Sequence, residues 1–196
     1  MKKILLILLC LCFIVPIRAQ EGQMLKNEIN VTYGQFTAPQ MLYVLGEVFG
    51  AAFSLGHFQT DNTVFLGAFG LEYFRSTNDW FAYGADLLLD YSTSDSYSVD
   101  KDGNKTLNGK YNLGWASVMP SVKFKWLRRE KITLFSKLSA GAGMIFSNEG
   151  SLKDKLTVSF QVTPIGLTVG KGSIKGFAEI GFGMQGIVNV GVQKIF

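Results

Sequence analysis

The chain has 196 residues, with 19 basic and 15 acidic side chains, a net charge of +4, 22 glycines, 16 phenylalanines, four prolines and a charged fraction of 17%. That fraction is below the usual globular value of about 25%, and the length suits one domain. Both cysteines, Cys10 and Cys12, and three of the basic residues, Lys2, Lys3 and Arg18, fall in the first nineteen positions. The other 177 residues (196 less 19) therefore offer no disulfide and no thiol nucleophile, and their sixteen basic residues nearly balance fifteen acids. That balance gives no reason to expect a nucleic-acid partner.

Residues 1–19 read as a signal peptide. Lys2 and Lys3 precede an apolar run from Ile4 to Val15, and Pro16-Ile17-Arg18-Ala19 leads to a cleavage point before Gln20. The run is too short to span a bilayer as a helix. Cys10 and Cys12 each follow a leucine, whereas a lipid-anchor site needs a small residue there. Residues 20–196 then form the second unit, one β-barrel domain.

Period-two alternation predicts strands at about 27–36, 62–75, 79–91, 110–126, 131–146, 154–168, 174–184 and 186–196. Most exceed the five or six residues of an ordinary strand and suit a tilted crossing of a bilayer, which takes about nine to eleven. The two faces differ consistently. Val118, Pro120, Val122, Phe124 and Trp126 alternate with Ser117, Met119, Ser121, Lys123 and Lys125, and Leu156, Val158, Phe160 and Val162 alternate with Thr157, Ser159, Gln161 and Thr163. In hydrocarbon every backbone polar group must pair internally, so such strands must close into a barrel. A secreted soluble barrel alternates too, but its outward face carries more charge than these do.

The connections expected after strands one, three and five are long (37–61, 92–109, 147–153), and those after two, four and six are tight. Transmembrane barrels show this asymmetry. Tyr73, Phe74, Trp80, Phe81, Phe124, Trp126 and Phe196 gather on the tight-turn side as an interfacial girdle. The last connection, near Gln185-Gly186, is short on the opposite side. The chain ends Gly191-Val192-Gln193-Lys194-Ile195-Phe196.

With its leader, strand count, loop asymmetry and terminal aromatic, the chain resembles the small outer-membrane β-barrels of bacteria over residues 27–196. Lys194 departs from their usual aromatic or aliphatic residue two before the end. The resemblance implies an all-β, eight-stranded antiparallel transmembrane β-barrel in the outer membrane. It also implies insertion by the barrel-assembly machinery, with Phe196 as the assembly signal. It implies no common chemistry, because fold is not function. The expected partners are outer-membrane lipid and that machinery. The expected state is a monomer whose extracellular partner the sequence does not name.

Seven charges fall on the inward face: Glu72, Asp86, Asp90, Lys123, Lys125, Lys137 and Glu179. An eight-stranded barrel is just wide enough inside to be filled by side chains. Opposite charges there should pair, since an unpaired buried charge costs several kcal/mol. Strand heights suggest Lys137 beside Asp86 and Glu179, and Glu72 near Lys123. A salt-bridged plug and a narrow ion path are the two readings.

Within the first long connection, Met41, Leu45, Val48, Phe49, Ala52 and Phe53 recur at helical spacing, and Thr37 before Pro39 is a plausible start. This predicts a short helical insertion within 39–58. It serves as an interfacial helix, a lid over the barrel mouth or a surface for a hydrophobic ligand.

Other motifs carry less. Gly181-Phe182-Gly183-Met184-Gln185-Gly186 has dinucleotide-loop spacing, but Ile187-Val188-Asn189-Val190 follows as strand where a helix is required. Asp100-Lys101-Asp102-Gly103-Asn104 lacks the glycine and glutamate positions of a calcium loop and reads as a hairpin tip. His57 is the only histidine, with Ser54 and Asp61 nearby at no recognisable spacing. No enzyme, metal or cofactor is expected. The leading function is a structural or surface-interacting barrel closed by its charges. The alternative is a binder or narrow passage for small hydrophobic molecules gated by 39–58.

Overall fold

Glu28, Asn30 and Thr32 point into a barrel while Ile29 and Val31 point out of it, and the same two-residue period runs through the remaining strands. The computed structural model describes residues 27–53, 58–99, 105–147 and 155–196. The strands are β1 (Asn27–Gln35), β2 (Phe58–Ser76), β3 (Phe81–Val99), β4 (Lys105–Arg128), β5 (Ile132–Ser147), β6 (Lys155–Val169), β7 (Ile174–Gly183) and β8 (Val188–Ile195). One helix, α1 (Ala38–Phe53), follows β1.

Neighbouring strands pair antiparallel in chain order, and β8 returns to β1 to close the barrel. At that seam the Asn27 N–H donates to the Phe196 carbonyl at 2.8 Å, and the Phe196 N–H donates to the Asn27 carbonyl at 2.9 Å. Closure leaves neither edge strand without a partner, which is the condition for placing a sheet in hydrocarbon. No helix among the described residues is long and apolar enough to cross a membrane; the strands do so.

The outer surface is an apolar belt. Val122, Leu138, Val162 and Phe182 follow one another across β4 to β7 by direct pairing. Leu156 and Val158 are 80% and 77% exposed, a cost in water and none in lipid. Inside lie serines, threonines, asparagines, glutamines and charges, with a small apolar cluster of Leu88, Met119 and Met184 packed by Ala38 and Trp115. An apolar exterior and polar interior around a closed antiparallel barrel belong to bacterial outer-membrane proteins. The protein is an integral outer-membrane barrel of eight strands.

The end holding the termini and tight turns (the turn end) carries exposed Trp80 and Trp126. Trp80 stacks near Phe124, with centroids 6.2 Å apart, and Phe81 lies 5.4 Å from Phe124. Phe74 does not belong to this girdle. Tyr73 takes the outward position, so strand parity turns Phe74 into the lumen, where it is fully buried.

At the other end, the loop end, segment 92–109 is mostly strand rather than connection. Ser92–Val99 pair with Lys105–Leu113. Serines and threonines alternate there without an apolar face, so hydrophobic periodicity is silent although the backbone ladder continues. The expected signal peptide (residues 1–19), His57, Ser54 and Asp100–Asn104 lie outside the described residues.

The connection from β7 to β8 enters the lumen. Met184, Gln185 and Gly186 are buried, and the Ile187 N–H donates to the Gln35 carbonyl at 3.0 Å. Gly34 makes the room. A Cβ there would lie 1.7 Å from the Gln185 carbonyl oxygen, so any side chain must displace the turn.

Candidate functional site

Three polar layers stack along the lumen. The middle one centres on Lys137, delivered by β5. Its ammonium donates to Glu72 of β2 at 2.5 Å, to Glu179 of β7 at 2.8 Å and to the Gln185 side-chain oxygen at 2.8 Å. All four side chains are buried. Glu72 also accepts from Asn30 at 2.8 Å and from the Gln185 amide at 2.6 Å, and Asn189 donates to Glu179 at 3.2 Å. Gln161 braces the inserted turn, accepting from the Gln185 N–H at 2.9 Å and donating to the Gly186 carbonyl at 3.1 Å. Asp86, buried one strand from Glu72, accepts from Ser139 at 2.6 Å.

Towards the turn end, Glu28 of β1 takes one lysine on each carboxylate oxygen: Lys123 at 3.1 Å, and Lys125 in a shorter contact. The Lys123 ammonium also lies 4.0 Å from the centre of the Phe74 ring and 4.9 Å from that of Phe135. Cation–π attraction of this kind strengthens as the ammonium loses water.

At the loop end, α1 begins over the lumen. Thr37 and Gln40 form a capping box: the Gln40 N–H donates to the Thr37 hydroxyl at 3.3 Å, and the Thr37 N–H donates to the Gln40 side chain at 3.2 Å. Both side chains also bond the inward carboxylate of Asp90 on β3. Tyr43 shares a 2.6 Å hydrogen bond with Ser94 and meets Phe65 edge-on at 5.9 Å. Ala38 in the first turn packs on the apolar cluster, while Leu42, Val44 and Leu45 are exposed. Of the helix residues singled out in the sequence, Met41 is half-buried and Leu45 exposed. The side chains of Val48, Phe49 and Phe53 lie outside the described residues.

The seven inward charges thus divide among three heights, Lys137 meets Glu179 as expected, and one suggested pairing differs. Glu72 meets Lys137 rather than Lys123, and Lys123 meets Glu28. Bulges at Lys125/Leu127 and Phe135/Lys137 shift register, so counting residues from the turns misplaces heights. Glu28 was legible: it alternates with Ile29 and Val31 at the start of β1 as Asn30 and Thr32 do. Gln185 was not, because its sequence is that of a solvent-side hairpin. Phe196 is exposed at the seam, held through its backbone to Asn27.

No protein-family profile matches the chain, and no curated protein sequence matches it. Solved structures that resemble it include two of one protein. One is the crystal structure of Ail, the attachment invasion locus protein of Yersinia pestis, in complex with the heparin analogue sucrose octasulfate. It is 14% identical, with a TM-score of 0.44 over 88% of this chain and 96% of that one. The other is the backbone structure of Yersinia pestis Ail in a phospholipid bilayer nanodisc, 15% identical, with a TM-score of 0.42 over 88% of this chain and 100% of that one. Likeness at this level carries no argument about function.

Proposed function

We propose that the protein is a non-enzymatic outer-membrane barrel with a structural or surface-interaction role, its lumen closed at mid-height by paired charges. The supporting observation is Lys137, held by Glu72, Glu179 and Gln185 with every member buried. A barrel of eight strands leaves little interior beyond what side chains fill. The termini and tight turns face the periplasm and the long hairpins face outward, as in other such barrels. The assembly machinery takes β8 with Phe196 at its end, and the barrel acts as a monomer whose hairpins meet a partner outside the cell.

A second reading is passage or binding of small hydrophobic molecules gated by 39–58. It is favoured by the apolar cluster of Leu88, Met119 and Met184 directly beneath the start of α1. Single-channel conductance in planar bilayers separates the two, comparing the full chain with a variant lacking 39–58. The closed barrel predicts no current from either form. A steady current on deletion overturns closure by the charged layer and makes the helix a gate.

A further inference from the structure

Below the charged layer the lumen widens into a cavity of about 810 Å³ that opens at the turn end. Its floor includes Glu28, Lys123 and Lys125, and its rim includes Arg128, Arg129 and Lys175. At the floor two ammonium groups share one carboxylate, so one positive charge is left over, with both lysine side chains at most 10% exposed. The surplus is local to the cavity wall, since the charged layer above it holds two carboxylates on one ammonium. Hydrogen-bonding capacity is also left over. An ammonium has three donors; Lys125 uses two, on Glu28 and Ser76, and Lys123 uses one.

The rim adds to the imbalance. Arg128 pairs with Asp79, but Arg129 and Lys175 have no carboxylate within 4.0 Å among the described residues. With Glu130 also on the rim, the cavity walls carry five cationic and three anionic side chains, two more positive than negative. We propose that this vestibule binds a phosphate-bearing ligand, with Lys123 and Lys125 at the floor and Arg129 and Lys175 at the rim. A phosphate group brings up to two negative charges and several acceptor oxygens, matching both the charge excess and the free donors. A phosphomonoester matches the full excess, and a phospholipid diester neutralises one charge of it while still offering several acceptor oxygens. The volume is that of a small-molecule site. On the orientation proposed above, the ligand is either a soluble periplasmic phosphate or the headgroup of an inner-leaflet phospholipid.

The test uses the full barrel in nanodiscs, which expose both ends, so it reads binding whichever way the barrel faces in the cell. In phosphatidylcholine discs, inorganic pyrophosphate is titrated calorimetrically against wild type, Lys125→Gln and the rim pair Arg129→Gln/Lys175→Gln. In discs containing phosphatidylglycerol, the phosphorus resonance of the headgroup is followed for the same proteins. Saturable binding of either probe is expected, weakened about tenfold or more by the rim pair and more strongly by Lys125→Gln. It should also weaken with added salt at the exposed rim. The rim pair leaves the floor intact, so its unchanged circular dichroism separates lost binding from lost fold. Pyrophosphate binding alone assigns a soluble ligand; a headgroup shift alone assigns a lipid. No saturable binding of either probe, or wild-type affinity in the rim pair, overturns the site.

Discussion

Replacing Lys137 with methionine keeps an unbranched side chain, one atom shorter, and removes the charge and its donors. The ammonium makes three contacts, at 2.5, 2.8 and 2.8 Å, and two of the acceptors are fully buried carboxylates. Removing one partner of a buried ion pair costs about 3–5 kcal/mol, because the remaining charge has neither water nor a counter-ion. Here two carboxylates are stranded, so the upper half of that range is expected. Domain stabilities lie at about 5–15 kcal/mol, so the loss is a large share of the total. Asn30, Gln185 and Asn189 still donate to the two carboxylates and limit the loss. Equilibrium unfolding in guanidinium from lipid vesicles, followed by tryptophan fluorescence, measures the change. Adding Glu72→Gln and Glu179→Gln removes both stranded charges, and the triple variant should recover to within about 1–2 kcal/mol of wild type. A single variant within about 1 kcal/mol of wild type, or a triple variant no more stable than the single, refutes the claim that charge pairing holds this layer.

Thr37→Val removes the cap of α1 and its bond to Asp90, at a local cost of about 1–2 kcal/mol. Hydrogen exchange should rise across 38–45 while the global unfolding midpoint stays near wild type; unchanged exchange there means the cap does not hold the helix. Leu138→Arg and Ile174→Arg test the belt. Leu138 sits outward between Val122 and Val162, whereas Ile174 begins β7 beside the turn. The first should cost about 2–4 kcal/mol in vesicles and the second about 0–1. Equal costs mean that the belt does not face hydrocarbon.

The barrel was legible because lipid outside and a filled lumen inside impose a strict period of two, written in pairs such as Val122/Lys123 and Val162/Thr163. The same parity identifies the seven inward charges without any structure. α1 was legible from helical spacing and from Thr37, since a capping box is local chemistry. The hydroxyl-rich upper halves of β3 and β4 were not, because nothing apolar marks their pairing.

Features that depend on neighbours along the chain could be read without coordinates: strand count, the alternation of faces and the start of the helix. Which charges meet was settled by the packed barrel, because bulges in β4 and β6 move partners by a residue and pairing energy falls with distance. The same packing turned Met184, Gln185 and Gly186 into the lumen. That fold depends on Gly34, a whole strand away, leaving space for the carbonyl of Gln185. The excess positive charge around Glu28 likewise exists only once β1 and β4 face each other across the lumen, and no linear pattern brings those residues together.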